Sequence, residues 1–112
     1  MKNMDELTKY IEIAFKFTNK EYPELKNTTE EEMLHFAIRH SALHFAKTAG
    51  RIATLSEDAD HGGLIDMADL KKNTAKALIN ALRLAALINL NEAEMVNIIK
   101  EIIEPSNNEL ND

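Results

Sequence analysis

Cysteine and tryptophan are absent from this chain, and glycine, proline and aromatic residues are scarce. Without cysteine there are no disulfides and no thiolate chemistry. That composition suits a reducing cytoplasm, where the protein is expected to reside. Aromatic residues make up 5% of the chain, too few for the stacking platforms that bind single-stranded nucleic acid. Net positive charge is missing too: the formal charge is -6 at pH 7. General nucleic-acid binding relies on cations that neutralise phosphates, so no nucleic-acid partner is expected. No apolar run approaches the ~20 residues of a membrane span, and the opening MKNMDELTKY has no signal-peptide core. No membrane association is expected. Only three glycines and two prolines interrupt 112 residues. What remains is dominated by Ala, Leu, Ile, Glu and Lys, which is helix-forming composition.

The apolar periodicity predicts four helices. Leu7, Tyr10, Ile11, Ala14 and Phe17 recur at three- and four-residue spacing and predict a first helix from Met4 to about Asn19. Tyr22-Pro23 blocks its continuation, because the residue before proline avoids helical geometry. Thr28 with Glu31, or Thr29 with Glu32, has capping-box spacing and starts a long second helix. Leu34, Ile38, Ala42, Phe45, Ala49 and Ile52 form its apolar seam. Gly50, beside a run of alanines, would let a neighbouring helix come close or bend the axis slightly. His61-Gly62-Gly63 breaks that helix. A third covers roughly Leu64 to Asn89, with Ile65, Ala68, Ala75, Leu78, Ile79, Leu82 and Ala86 as its seam. Its end, LAALINL, is apolar nearly all round, which predicts cover from the fold or from another subunit. Asn91 with Glu94 starts the last helix, and Pro105 ends it. The expectation is an all-α, four-helix bundle-like domain over residues 1–104, two long central helices flanked by shorter ones. Residues 105–112 are expected to form a disordered tail. The broad apolar faces predict a homodimer or higher homo-oligomer.

Two polar strips carry the candidate chemistry. His40, His44, Lys47, Arg51 and Asp58 fall on one side of the second helix, at about 100° per residue. Asp66, Asp69, Asn73, Lys76, Asn80 and Arg83 fall on one side of the third. The basic members, His40, His44, Lys47, Arg51 and Lys76 with Arg83, could hold phosphates by fixed positive charge. Ion pairing with the neighbouring acids is the plainer alternative. Glu57, Asp58, Asp66 and Asp69 near the glycine pair could form a metal site, although acids at the start of a helix also complement its dipole. His40-x-x-x-His44 has the spacing of a helical metal pair, but Asp58, Asp60 and His61 all lie several turns away.

Two segments resemble the MazG-like all-α nucleotide pyrophosphohydrolases. LHFAKTAGRIATL, residues 43–55, looks like that family's second helix. ALINALRLAALINLNEAEMVNIIKEI, residues 77–102, looks like its third helix, a short turn and the next helix. The resemblance implies cleavage of nucleoside triphosphates to monophosphate and pyrophosphate. It also implies magnesium ions held by E-x-x-E on one helix and E-x-x-D on the next, since hard cations need several oxygen ligands. This chain departs there. Aligned through Gly50 and Leu84-Ala85, it places Arg51 and Thr54 at the first pair and Asn73 and Lys76 at the second. Lysine donates without lone pairs and cannot ligate magnesium. The resemblance thus implies a nucleotide-handling protein whose metal-binding acids are lost, with magnesium needed only if activity survives. The alternative is a non-enzymatic interaction or regulatory module acting through its apolar faces.

Overall fold

The computed structural model describes residues 1–18 and 20–105. It is all-helical, with no strand among those residues. The helices are α1 (Met4–Ala14), α2 (Glu30–Asp60), α3 (Met67–Leu87) and α4 (Glu92–Ile103). A 3-10 turn at Pro23–Leu25 interrupts the α1–α2 connection. The expected tail residues 106–112 lie outside the described residues.

Local chemistry sets every helix start. The side chains of Asn3, Thr29, Asp66 and Asn91 each accept the amide of the residue three positions on, at 2.8–3.1 Å. Each such cap contributes about 1 kcal/mol. Two boundaries correct the sequence reading. α1 ends at Ala14, well short of Asn19, which is itself outside the described residues. Phe15 leaves the helical region, and Phe17 stacks on Tyr22 with ring centroids 5.4 Å apart. α3 begins at Met67, not Leu64, because Asp66 is its cap.

The predicted break at Gly62-Gly63 is a left-handed stop. Gly62 has φ +92°, and the Gly63 amide donates to the Asp58 carbonyl at 3.1 Å. A Cβ on Gly63 would sit 2.9 Å from that carbonyl oxygen, so only glycine fits. Gly50 is different. Nothing lies within 4 Å of where its Cβ would be, so within this chain it permits no close packing. Gly50→Ala is therefore expected to raise stability by about 1 kcal/mol. Gly63→Ala is expected to lower it by about 1 kcal/mol or more. Thermal denaturation of the two variants should shift the midpoint in opposite directions.

α3 packs against α2 on one side and α1 on another. The α2 face that does this is not the predicted seam. Ala37, Ser41, Thr48 and Leu55 are buried, while Leu34, Ala42, Phe45 and Ala49 are exposed. At 100° per residue, the buried line lies about 80° around the helix from the seam. On α3 the predicted polar strip supplies Asn73, Asn80 and Arg83 to the buried set, and Leu82 and Ala85 complete it. The α2–α3 contact is thus largely polar: Asn80 Nδ2 donates to Thr48 Oγ1 at 3.2 Å, with both residues buried.

The apolar core is small. Among the described residues only Ile11, Leu25, Ala37, Leu55, Leu82 and Ala85 are buried hydrophobics. α4 buries none of its residues, and its amide at Glu92 is tied to Asp5 of α1 at 2.8 Å. The chain exposes 8579 Å². A compact monomer of this mass exposes about 6200 Å². Its radius of gyration is 17.7 Å, against about 13 Å for a compact chain of this length.

Candidate functional site

The polar faces of α2 and α3 border a cavity of about 620 Å³. That lies within the usual size range of small-molecule sites. All six sequence-identified phosphate candidates line it: His40, His44, Lys47 and Arg51 from α2, and Lys76 and Arg83 from α3. Lys72 adds one more cation, and Asp69 is the one carboxylate on the wall among the described residues. A chain of net charge -6 thus concentrates positive charge in one concavity.

Arg51 is the cation already engaged. Its Nε donates to Asp69 Oδ2 at 3.0 Å, and its Nη2 donates to the same oxygen. Asn73 Nδ2 donates to the other carboxylate oxygen at 3.1 Å. Asp69 therefore holds the two helices in register. Lys47, Lys72, Lys76 and Arg83 form no ion pair among the described residues.

The α1–α2 connection closes one end of the site. Tyr22 reaches His40, with its hydroxyl 3.3 Å from Nε2, and His44 Nε2 lies 3.1 Å from the same atom. Phe17, Tyr22 and Phe36 pack around the His40 ring. Burial, then the His44 and Arg83 charges, hold His40 below its ordinary value of 6.5, against an opposing pull from Glu24. His40 is therefore neutral at pH 7. Its charged form is disfavoured in the fold, so stability is complete above the unfolded value and declines as pH falls through 6.5 toward the lowered folded value. An anion in the cavity reverses this by favouring the imidazolium. Relative to His40→Gln, the wild type should lose thermal midpoint between pH 7.5 and about 5.5 without ligand. Over that range it should gain affinity for inorganic triphosphate. Matched thermal and titration series on both proteins check the two trends.

Arg83 stands between Phe15 and Phe17, its guanidinium carbon 5.1 and 4.7 Å from their ring centroids. It is 7% exposed, and its Nε has no hydrogen-bond partner among the described residues. A cation over aromatic rings gains from their electron-rich faces, and a guanidinium also carries donors for carboxylate or phosphate.

The candidate metal acids do not gather. Asp66 caps α3, Asp69 is bound to Arg51 and Asn73, and Glu57 faces His61 at 3.8 Å on its own helix. Asp58 is exposed. Among the described residues no three His, Cys, Asp or Glu side chains are placed to hold a metal ion. The His40–His44 pair has the expected proximity, with no third such ligand among the described residues.

No family model, curated protein or solved structure matches this chain. The site's chemistry therefore rests on its own atoms. Of the positions where the resemblance expects metal-binding acids, Arg51, Asn73 and Lys76 line the cavity, whereas Thr54 bonds back to the Gly50 carbonyl. Sequence reasoning missed Phe15, Tyr22 and Lys72. One signal was available: four of the chain's six aromatics, Phe15, Phe17, Tyr22 and Phe36, fall just before and within the start of the histidine helix. The linker reading gave no reason to fold them onto it.

Proposed function

We propose that this protein binds nucleotides as a divergent MazG-like helical protein, with fixed cations in place of magnesium. One observation carries the reading: every basic candidate identified from the sequence lines a single cavity that holds one already-paired carboxylate. Nucleoside polyphosphates offer the dense negative charge that such a wall complements, and Lys and Arg neutralise it directly. Among the described residues, the acids are not placed to support hydrolysis through a metal pair. The test is a panel of nucleoside triphosphates, titrated by calorimetry with and without magnesium and assayed for pyrophosphate release. Metal-independent binding with no release is the expected result. Release that requires magnesium would restore the enzyme reading. Absence of binding to any nucleotide would remove the site reading altogether.

A second reading concerns the partner, and the exposed apolar surface favours it. Phe45, Leu78, Val96, Ile98, Ile99, Ile102 and Ile103 are all at least 36% exposed. A standard interface covers about 800 Å² per partner, and these exposed side chains are spread over α2, α3 and α4. A second copy of the chain supplies a matching face, and the exposed alanines at positions 42, 46, 49 and 53 let two α2 helices approach closely. This homodimer is compatible with nucleotide binding. It also serves the purely regulatory alternative, which gains ground if the titration panel is silent.

A further inference from the structure

Next to the cationic cavity lies a second one of about 370 Å³, walled mainly by Phe15, Phe17, Met33, Leu34 and Leu87. Two residues line both cavities: Phe15 and Arg83. We propose that Arg83 is an anion anchor at this junction. A single ligand would lie across it, with phosphates in the cationic cavity and a flat ring in the apolar one. The ligand class is a nucleoside polyphosphate bound without a metal ion. This inference rests on the nucleotide-binding reading and adds the residue that holds the ligand, its orientation and the place of its base.

Three independent features support it. Arg83 is more than nine-tenths buried and, among the described residues, has no ion pair and no hydrogen-bond partner at Nε. A buried cation left in this state is costly unless an anion visits it. The rings of Phe15 and Phe17, with centroids 5.1 and 4.7 Å from its central carbon, limit where the guanidinium can sit, and a guanidinium suits the two-pronged geometry of phosphate recognition. Finally, charge sorts the two ends. The cationic wall carries Lys47, Lys72 and Lys76, while the polar rim of the apolar cavity carries Glu12 and Glu30 against Lys16. Phosphates are repelled from the second cavity and drawn into the first. An aromatic ring gains from the Phe-lined wall, and its N–H groups can donate to the rim carboxylates.

The test is calorimetric titration of the full chain, in chelator, with inorganic triphosphate and with ATP. Wild type, Arg83→Met and Arg83→Lys are compared. ATP is expected to bind at least about tenfold more tightly than triphosphate, because only ATP fills the apolar cavity. Arg83→Met should weaken both ligands by about tenfold or more, the usual size of a lost hydrogen bond to a charged group. Arg83→Lys should fall between, since it keeps the charge and loses the fork. Without ligand, the thermal midpoint of Arg83→Met should stay level or rise, whereas a purely structural cation–π role would lower it. Equal affinity for ATP and triphosphate would overturn the two-cavity assignment. Unchanged affinity in Arg83→Lys and Arg83→Met would overturn the anchor while leaving nucleotide binding intact. If wild type binds neither ligand, both readings fall together.

Discussion

Lys47→Glu combined with Lys76→Glu is expected to reduce triphosphate affinity by at least about 100-fold. Both lysines line the cationic cavity, one from each long helix, and neither is in an ion pair among the described residues. A hydrogen bond to a charged group contributes about 1.5–3 kcal/mol, and two such losses already give that factor. Reversal adds repulsion within a concave wall. The fold should survive, because both side chains are exposed and take no part in the small core. Circular dichroism would verify that, and calorimetry at fixed ionic strength would read the affinity. Retention of affinity within about threefold would show that the cavity is only a solvated polar face. The wild-type affinity should also fall steeply with added salt, as expected for binding through several charges.

Phe45→Asp is expected to convert the proposed homodimer to monomer, and Ile99→Asp on α4 to weaken it. In an isolated chain these residues are exposed. Surface substitutions away from special features usually change stability by no more than about 0.5 kcal/mol. Across a buried interface, an uncompensated carboxylate costs several kcal/mol. The two situations therefore separate widely. Sedimentation or light scattering should give twice the chain mass for wild type and the single mass for Phe45→Asp. The wild-type thermal midpoint should rise with protein concentration, and that dependence should vanish in the variant. A wild type that sediments as monomer would end the homodimer reading and leave the apolar surface for a different partner.

Particular elements show how the sequence reading fared. The starts of α2 and α4 were legible because capping is local: Thr29 and Asn91 bond to amides three residues away whatever the rest of the chain does. Gly62-Gly63 was legible for the same reason, since a positive φ and a close carbonyl select glycine directly. The end of α1 was not. Propensity favours continuing past Ala14, but the rings of Phe17 and Tyr22 come to rest against Phe36 and His40 on α2. Aromatic burial against a distant helix outweighs the small per-residue gain of extending a helix. Gly50 failed in the opposite way: a small residue in an alanine run reads as a packing site, yet nothing in this chain approaches it.

By itself, then, the sequence determined four helices, the caps of α2 and α4, the break between the long pair and the basic strip on α2. Each of these follows from neighbours within a few residues. Only the tertiary structure decided which faces meet. Periodicity marks the seam of α2 as apolar without saying what covers it. In this chain α3 takes the line through Ser41 and Thr48, leaving Phe45 and its neighbours outward. That rotation turns the polar strips inward and sets His40, Lys47 and Arg51 beside Lys76 and Arg83. Helix pitch fixes which residues share a side, but the orientation of one helix against another depends on contacts far apart in the chain.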